Sequence, residues 1–131
     1  KVEAVKTGYT ETFFGRKRYF PGLRSKLPFL KASAERMAVN APLQGTAADI
    51  IKIAIKLADD DIKKAGLEDK VHLLLQIHDE LVYEVEEGAV EKARNAIKGA
   101  MEGILERSFI KNKDIVPLAI NDATGDNWGE I

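Results

Sequence analysis

A chain of 131 residues is the length of one ordinary domain, which excludes a complete multidomain enzyme, and 45% hydrophobic with 31% charged residues excludes wholesale disorder. A net charge of −1 predicts no strong bias toward any partner, yet it conceals a split: residues 1–36 hold nine Lys and Arg against three Glu (+6), and the remainder eleven against eighteen acids (−7). The absence of cysteine excludes a disulfide scaffold, a zinc–thiolate site and thiol catalysis, and it suits a reducing, cytoplasmic setting.

The elements follow in order. Residues 1–6 read as the end of a helix. After Gly8, the β-formers Tyr9 to Phe14 are punctuated by Gly15, and Arg18-Tyr19-Phe20 returns, predicting a basic-tipped hairpin over 8–20. Residues 21–31, with Pro21, Gly22 and Pro28, read as a loop. A helix is expected over 33–65, with Ser33 or a neighbour as N-cap and Glu35 in its first turn. Pro42 lacks an N–H and clashes one turn back, so a kink or restart is expected there. From Thr46 to Lys64 the apolar positions Ile50, Ile51, Ala54, Ile55, Ala58 and Ile62 recur at helical spacing, and Gly66 ends the run.

A second hairpin is expected over 71–86. Val71, Leu73, Leu75 and Ile77 share one strand face, the polar triplet His78-Asp79-Glu80 forms the tip, and Leu81, Tyr83 and Val85 line the return. An amphipathic helix over 89–107 and a strand over 116–120 follow, and the tail to residue 131 is a turn anchored by Trp128. The fold class is α+β, with helices packed on a small antiparallel sheet. No apolar run is long enough to cross a bilayer, so no membrane partner is expected.

Three groups of residues could carry chemistry. The tip His78-Asp79-Glu80 is the sharpest, because a tight turn needs only Asn-Gly or Asp-Gly. Two adjacent carboxylates beside an imidazole repel unless a cation sits near, and a hard, oxygen-seeking ion such as Mg²⁺ suits Asp79 and Glu80. A plain solvated acidic turn is the alternative, and a metal-dependent phosphohydrolase is a weaker one, since the chain has only His72 and His78. The second group is Arg36, Asn40 and Gln44, hydrogen-bond donors spaced by four on one winding helix stripe, among the small or apolar Met37, Ala38, Val39 and Ala41. Either a solvated face or a surface lying close to a ligand fits them. The third is Arg16-Lys17-Arg18, which reads as a solubilising turn or as phosphate contacts to nucleic acid. His72 reads as a partly buried structural residue.

The run from Ala34 to Ile50, containing Arg36-Met37-Ala38-Val39-Asn40-Ala41-Pro42-Leu43-Gln44-Gly45-Thr46, followed by Gln76-Ile77-His78-Asp79-Glu80-Leu81-Val82, resembles the C-terminal part of the palm of family A DNA polymerases of the bacterial DNA polymerase I type. The resemblance extends from the Gly8–Tyr19 hairpin to Gly125-Asp126-Asn127-Trp128. It implies that Asp79 is one of two carboxylates holding a catalytic Mg²⁺ pair, that Glu80 supports that site, and that His78 lies near the primer terminus. The implied reaction is attack of a primer 3′-hydroxyl on the α-phosphate of a deoxynucleoside triphosphate, with pyrophosphate leaving.

Arg36, Asn40 and Gln44 resemble minor-groove contacts to primer–template DNA, where donors meet acceptors shared by every base pair. Arg16, Lys17 and Arg18 fall on the neighbouring DNA-facing hairpin. The family's earlier Asp-Tyr-Ser-Gln-Ile-Glu-Leu-Arg motif and the nucleotide-binding fingers helix are absent. The chain is therefore expected to be a partial palm that needs those N-terminal palm and fingers segments, inactive alone and exposing apolar surface. The alternative is a stand-alone module that binds duplex DNA without catalysis.

Overall fold

The computed structural model describes residues 2–107 and 118–131, which divide into two units, Lys1–Ile51 and Lys52–Ile131. In the first, helix α1 (Val2–Thr7) ends at Gly8, whose φ of 83° makes the reversal into strand β1 (Tyr9–Glu11). Strand β2 (Lys17–Tyr19) returns antiparallel, with Tyr9 opposite Tyr19 and Glu11 opposite Lys17. Between them Thr12 closes the loop: its N–H donates to the Arg16 carbonyl at 2.9 Å, and its Oγ1 accepts from the Phe14 and Arg16 amides. A 3-10 turn at Pro21–Arg24 buries Leu23.

Helix α2 runs without a break over Pro28–Lys64, and in this it differs from the sequence reading at both ends of its first half. It begins five residues before Ser33, because Pro28 occupies the first helical position. There its fixed φ is already helical and its missing N–H costs nothing, while the Leu27 carbonyl accepts from Lys31 N–H at 3.1 Å. Ser33 is therefore inside the helix and caps nothing. The helix also continues through Pro42 instead of restarting. The proline removes one donor from the ladder, and the buried Ala34, Ala38 and Ala41, packed with Ala4, Phe20 and Leu23, hold the turns that lead into it.

In the second unit, the late half of α2 buries Ala54, Ala58 and Ile62, the face its periodicity marks. Gly66, at φ 70°, turns the chain toward strand β3 (Val71–Ile77), which pairs antiparallel with strand β4 (Glu80–Val85). Among the described residues the strands form two two-stranded antiparallel sheets. A bulge also breaks the expected alternation. Leu73 lies opposite Tyr83 but Leu75 opposite Val82, so one residue is inserted and the sides exchange beyond it. Val71, Leu73, Tyr83 and Val85 share a face, and Leu75, Ile77, Val82 and Glu80 take the other.

Val71 joins Ile62, Leu67, Ala89 and Ala93 in the core, with Tyr83, Val85 and Ile97 packed on it. The helix expected over 89–107 is two helices, α3 (Val90–Glu102) and α4 (Ile104–Arg107), parted at Gly103. Of the strand expected over 116–120, residues 116 and 117 lie outside the described residues and 118–120 form no strand. That segment is tied to α3 by polar contacts instead: Asp122 pairs with Arg94 at 2.8 Å and Lys98 at 3.3 Å, and Glu102 accepts the Ile120 N–H. His72 is exposed, opposite Glu84, and Trp128 is 53% exposed, so neither has the packing role expected of it. Among the described residues no helix is long and apolar enough to cross a membrane.

Candidate nucleic-acid interface and acidic turn

The donor stripe lies on the outer side of α2. Arg36, Asn40 and Gln44 are all exposed, whereas Ala38 and Ala41, read from sequence as their companions on a low surface, are buried on the inner face. Met37 and Val39 remain outside with the stripe, at 47% and 58% exposure. The donors therefore stand beside exposed apolar side chains.

The basic hairpin meets the same stretch of α2. Arg16 Nε donates to Asp49 Oδ1 at 2.7 Å, and Arg16 Nη2 donates to the Gly45 carbonyl at 3.2 Å. The Phe13 N–H donates to Thr46 Oγ1 at 2.9 Å. Gly45 makes the approach possible, because a Cβ there would stand 2.6 Å from Thr12 Cγ2. Lys17 points elsewhere: it lies 4.5 Å from the Tyr9 ring centroid and 3.6 Å from Glu11. A hydrogen bond with Tyr9 and the nearby Glu11 charge hold its pKa above the ordinary lysine value. Arg18 lies over the Phe20 ring at 5.2 Å. Thr10, Thr12, Arg16, Arg18 and Gln44 share a cleft of about 220 Å³, so two groups that the sequence kept apart meet.

Sequence reasoning missed Gly45, Thr46 and Asp49 as members of this site. Only Gly45 carried a signal, since a glycine in a helix interior costs about 1 kcal/mol relative to alanine and so points to close packing.

In the second unit, His78 and Asp79 are the two turn residues between β3 and β4, and Glu80 already belongs to β4. His78 has φ 51°, the only positive φ at a non-glycine residue among the described residues. Gln76 Nε2 donates to the His78 carbonyl at 3.4 Å, across the turn. His78, Asp79 and Glu80 are all exposed. The pairing of Ile77 with Glu80 puts the Glu80 side chain on the face turned away from the Val71–Val85 side.

Two adjacent carboxylates on a pinned turn match the oxygen preference of Mg²⁺ and are too few to enclose it. Among the described residues, no group of three or more His, Asp or Glu is placed to hold a metal ion. Below the turn, burial first and the Asp59 charge second raise the Tyr83 pKa above the ordinary value for a phenol.

The profile of DNA polymerase family A matches residues 1–130, so the chain belongs to that family. It is 42% identical over 130 residues to DNA polymerase I of Rhizobium leguminosarum, covering 99% of this chain and 12% of the relative. It is 44% identical over 123 residues to the thermostable DNA polymerase I of Thermus filiformis, covering 94% of this chain and 13% of the relative. The chain thus spans about an eighth of the relatives' length. Among solved structures, the POL domain of Pol1 from M. smegmatis, in complex with DNA primer-template and dNTP, superposes with a TM-score of 0.74 at 46% identity, over 79% of this chain and 18% of that one.

Proposed function

We propose that this chain supplies the C-terminal palm portion of a family A DNA polymerase, acting in the cytoplasm in DNA replication and repair. The observation that carries the reading is the turn itself: a histidine held in the left-handed region, followed by two exposed carboxylates, in a chain that belongs to this family. A Gly or Asn would form the turn with less strain, and strain retained at a solvent-facing turn points to function. The Pol1 neighbour, described with primer-template DNA and a dNTP, supports the same substrates here.

In this reading Asp79 contributes an oxygen ligand to the Mg²⁺ site, Glu80 adds negative charge beside it, and His78 lies toward the primer terminus. The second carboxylate comes from an earlier palm segment and the triphosphate contacts from a fingers helix, and neither motif occurs in these 131 residues. When bound, the metal ions lower the barrier for attack of the primer 3′-hydroxyl on the α-phosphate. Arg36, Asn40 and Gln44 donate to minor-groove acceptors, which are nearly the same for every Watson–Crick pair. That lets one rigid helix face accept every correct pair.

The test transplants residues 1–130 into the matching stretch of the Rhizobium leguminosarum enzyme. The chimaera extends a primer with Mg²⁺ and four deoxynucleotides. Asp79→Asn lowers extension by more than about 100-fold while duplex affinity holds, and full activity of that variant would overturn the assignment. The isolated 131-residue chain is expected to extend nothing, and template-dependent extension by it alone would overturn the partial-palm reading.

The exposed donor stripe also favours a second reading, a duplex-binding module without catalysis. Salt-dependent duplex binding by the isolated chain, weakened by Arg36→Ala and Gln44→Ala, together with an inactive chimaera, would select it.

A further inference from the structure

The three basic residues of the first hairpin are not equivalent. Lys17 is engaged with Tyr9 and Glu11 of its own hairpin, and Arg18 lies over Phe20 and lines the cleft with Gln44. Arg16 alone reaches across 33 residues of sequence to α2. Arg16 lines the same cleft and its side chain is half-exposed, but its Nε edge is committed to Asp49 and its Nη2 to the Gly45 carbonyl.

Among the described residues Asp49 is the one polar side chain in the buried set, at 7% exposure. A carboxylate with so little water depends on its hydrogen-bonded cation, and neutralising either partner disturbs the other. Two further contacts fall on the same turn of α2: the Phe13 amide on Thr46, and Thr12 against the bare face of Gly45. The tip is therefore gripped at residues 45, 46 and 49 together.

We infer that Arg16 and Asp49 are a positioning pair: they seat the basic hairpin on α2 so that Arg18 and Gln44 face one cleft, and Arg16 serves DNA binding through that seating instead of by touching phosphate. The inference rests on the DNA-contact reading above for its functional half. Its structural half stands on the Phe13 amide alone.

Charge separates this role from a simple phosphate contact. If the charges of this site merely add, Asp49→Asn removes a negative charge and tightens DNA binding, and Arg16→Lys changes nothing. A positioning pair reverses both expectations. Lysine has no planar fork to span Asp49 and the Gly45 carbonyl, so keeping the charge does not keep the geometry.

The experiment reads amide hydrogen exchange at Phe13 in the 131-residue chain, and duplex affinity, by fluorescence anisotropy on a labelled DNA hairpin across a salt series, in the chimaera described above. Arg16→Lys and Asp49→Asn each speed exchange at Phe13 about tenfold or more, and each weakens duplex binding about fivefold. The double variant is no worse than either single one, as expected for a pair acting as a unit. Amides of β3 and β4 keep their protection, which separates loss of seating from loss of fold.

Unchanged exchange at Phe13, or tighter DNA binding by Asp49→Asn, overturns the inference. A chimaera with the wild-type stretch that binds no duplex removes the DNA-contact reading, and Phe13 exchange then still decides whether the pair seats the hairpin.

Discussion

The two hairpins of this chain solve opposite problems. The first, β1–β2, is exposed along most of its length and is held by its tip, through Arg16, Phe13 and Thr12 on one turn of α2. The second, β3–β4, is held by its base, where Val71, Tyr83 and Val85 pack on a core built from Ile62, Leu67, Ala89 and Ala93, and its tip stands free. A hairpin anchored at the tip can present its strand residues, here Arg18. One anchored at the base can present its turn, here Asp79 and Glu80. The polar anchor leaves the hairpin's position dependent on a few directional contacts, whereas the apolar anchor is non-directional and grows with area.

The largest expected effect tests the base. Ile62→Ala removes most of a buried side chain from the second core and lowers stability by about 2–5 kcal/mol in a urea melt, through lost burial and the cavity left behind. A loss below about 1 kcal/mol would show that this hairpin does not rely on its core.

The next tests the tip of the first hairpin. In Gly45→Ala the new Cβ meets Thr12 Cγ2, and overpacking of about 1–3 kcal/mol opposes a gain of about 1 kcal/mol in helix propensity. Thermal melting then shows a net loss of up to about 2 kcal/mol. Adding Thr12→Ser removes the offending methyl, keeps the hydroxyl that accepts from Phe14 and Arg16, and restores the loss. If the serine change restores nothing, the hairpin is not seated by this contact.

A smaller effect of opposite sign belongs to the free tip. His78→Gly relieves the left-handed strain and, after the added backbone entropy of glycine, raises stability by about 0.5–1 kcal/mol. His78→Val, β-branched at a positive φ, lowers it.

The smallest effect appears only in alkali. The Tyr83 pKa is raised in the folded state, so its protonated form favours folding: that contribution is complete below the unfolded value of about 10 and is lost as pH rises through the higher folded value. Melting temperature should hold up to about pH 9 and fall beyond 10, less steeply in Tyr83→Phe. An ultraviolet titration that shows no phenol ionising above the ordinary range would contradict the burial of Tyr83.

Much of this architecture was legible before folding was considered. The 3.6-residue period of Ile51, Ala54, Ala58 and Ile62 and the turn chemistry at Gly15 and Gly66 are local signals, and each element appears where they place it. Boundaries were less legible. Pro28 marks a helix start as readily as a loop, and the effect of Pro42 depends on whether packed alanines lie beneath it. The bulge in β3 left no mark, because Leu73-Leu74-Leu75 reads the same in either register. Only its pairing with β4 reveals which leucine shares a face with Val71 and Val85.

By itself the sequence determined the family, through two runs long enough to exclude chance, and with it the residues to watch: Arg36, Asn40, Gln44, His78, Asp79 and Glu80. It also determined that the near-zero net charge divides into a basic N-terminal third and an acidic remainder. Tertiary structure alone decided how each of the basic residues is engaged. Arg16, Lys17 and Arg18 are chemically alike in sequence, and they part company because a carboxylate 33 residues away, nearly shielded from water, holds the first of them. Periodicity reports local geometry, whereas a pairing across that distance exists only once the chain has folded and brought the two charges together.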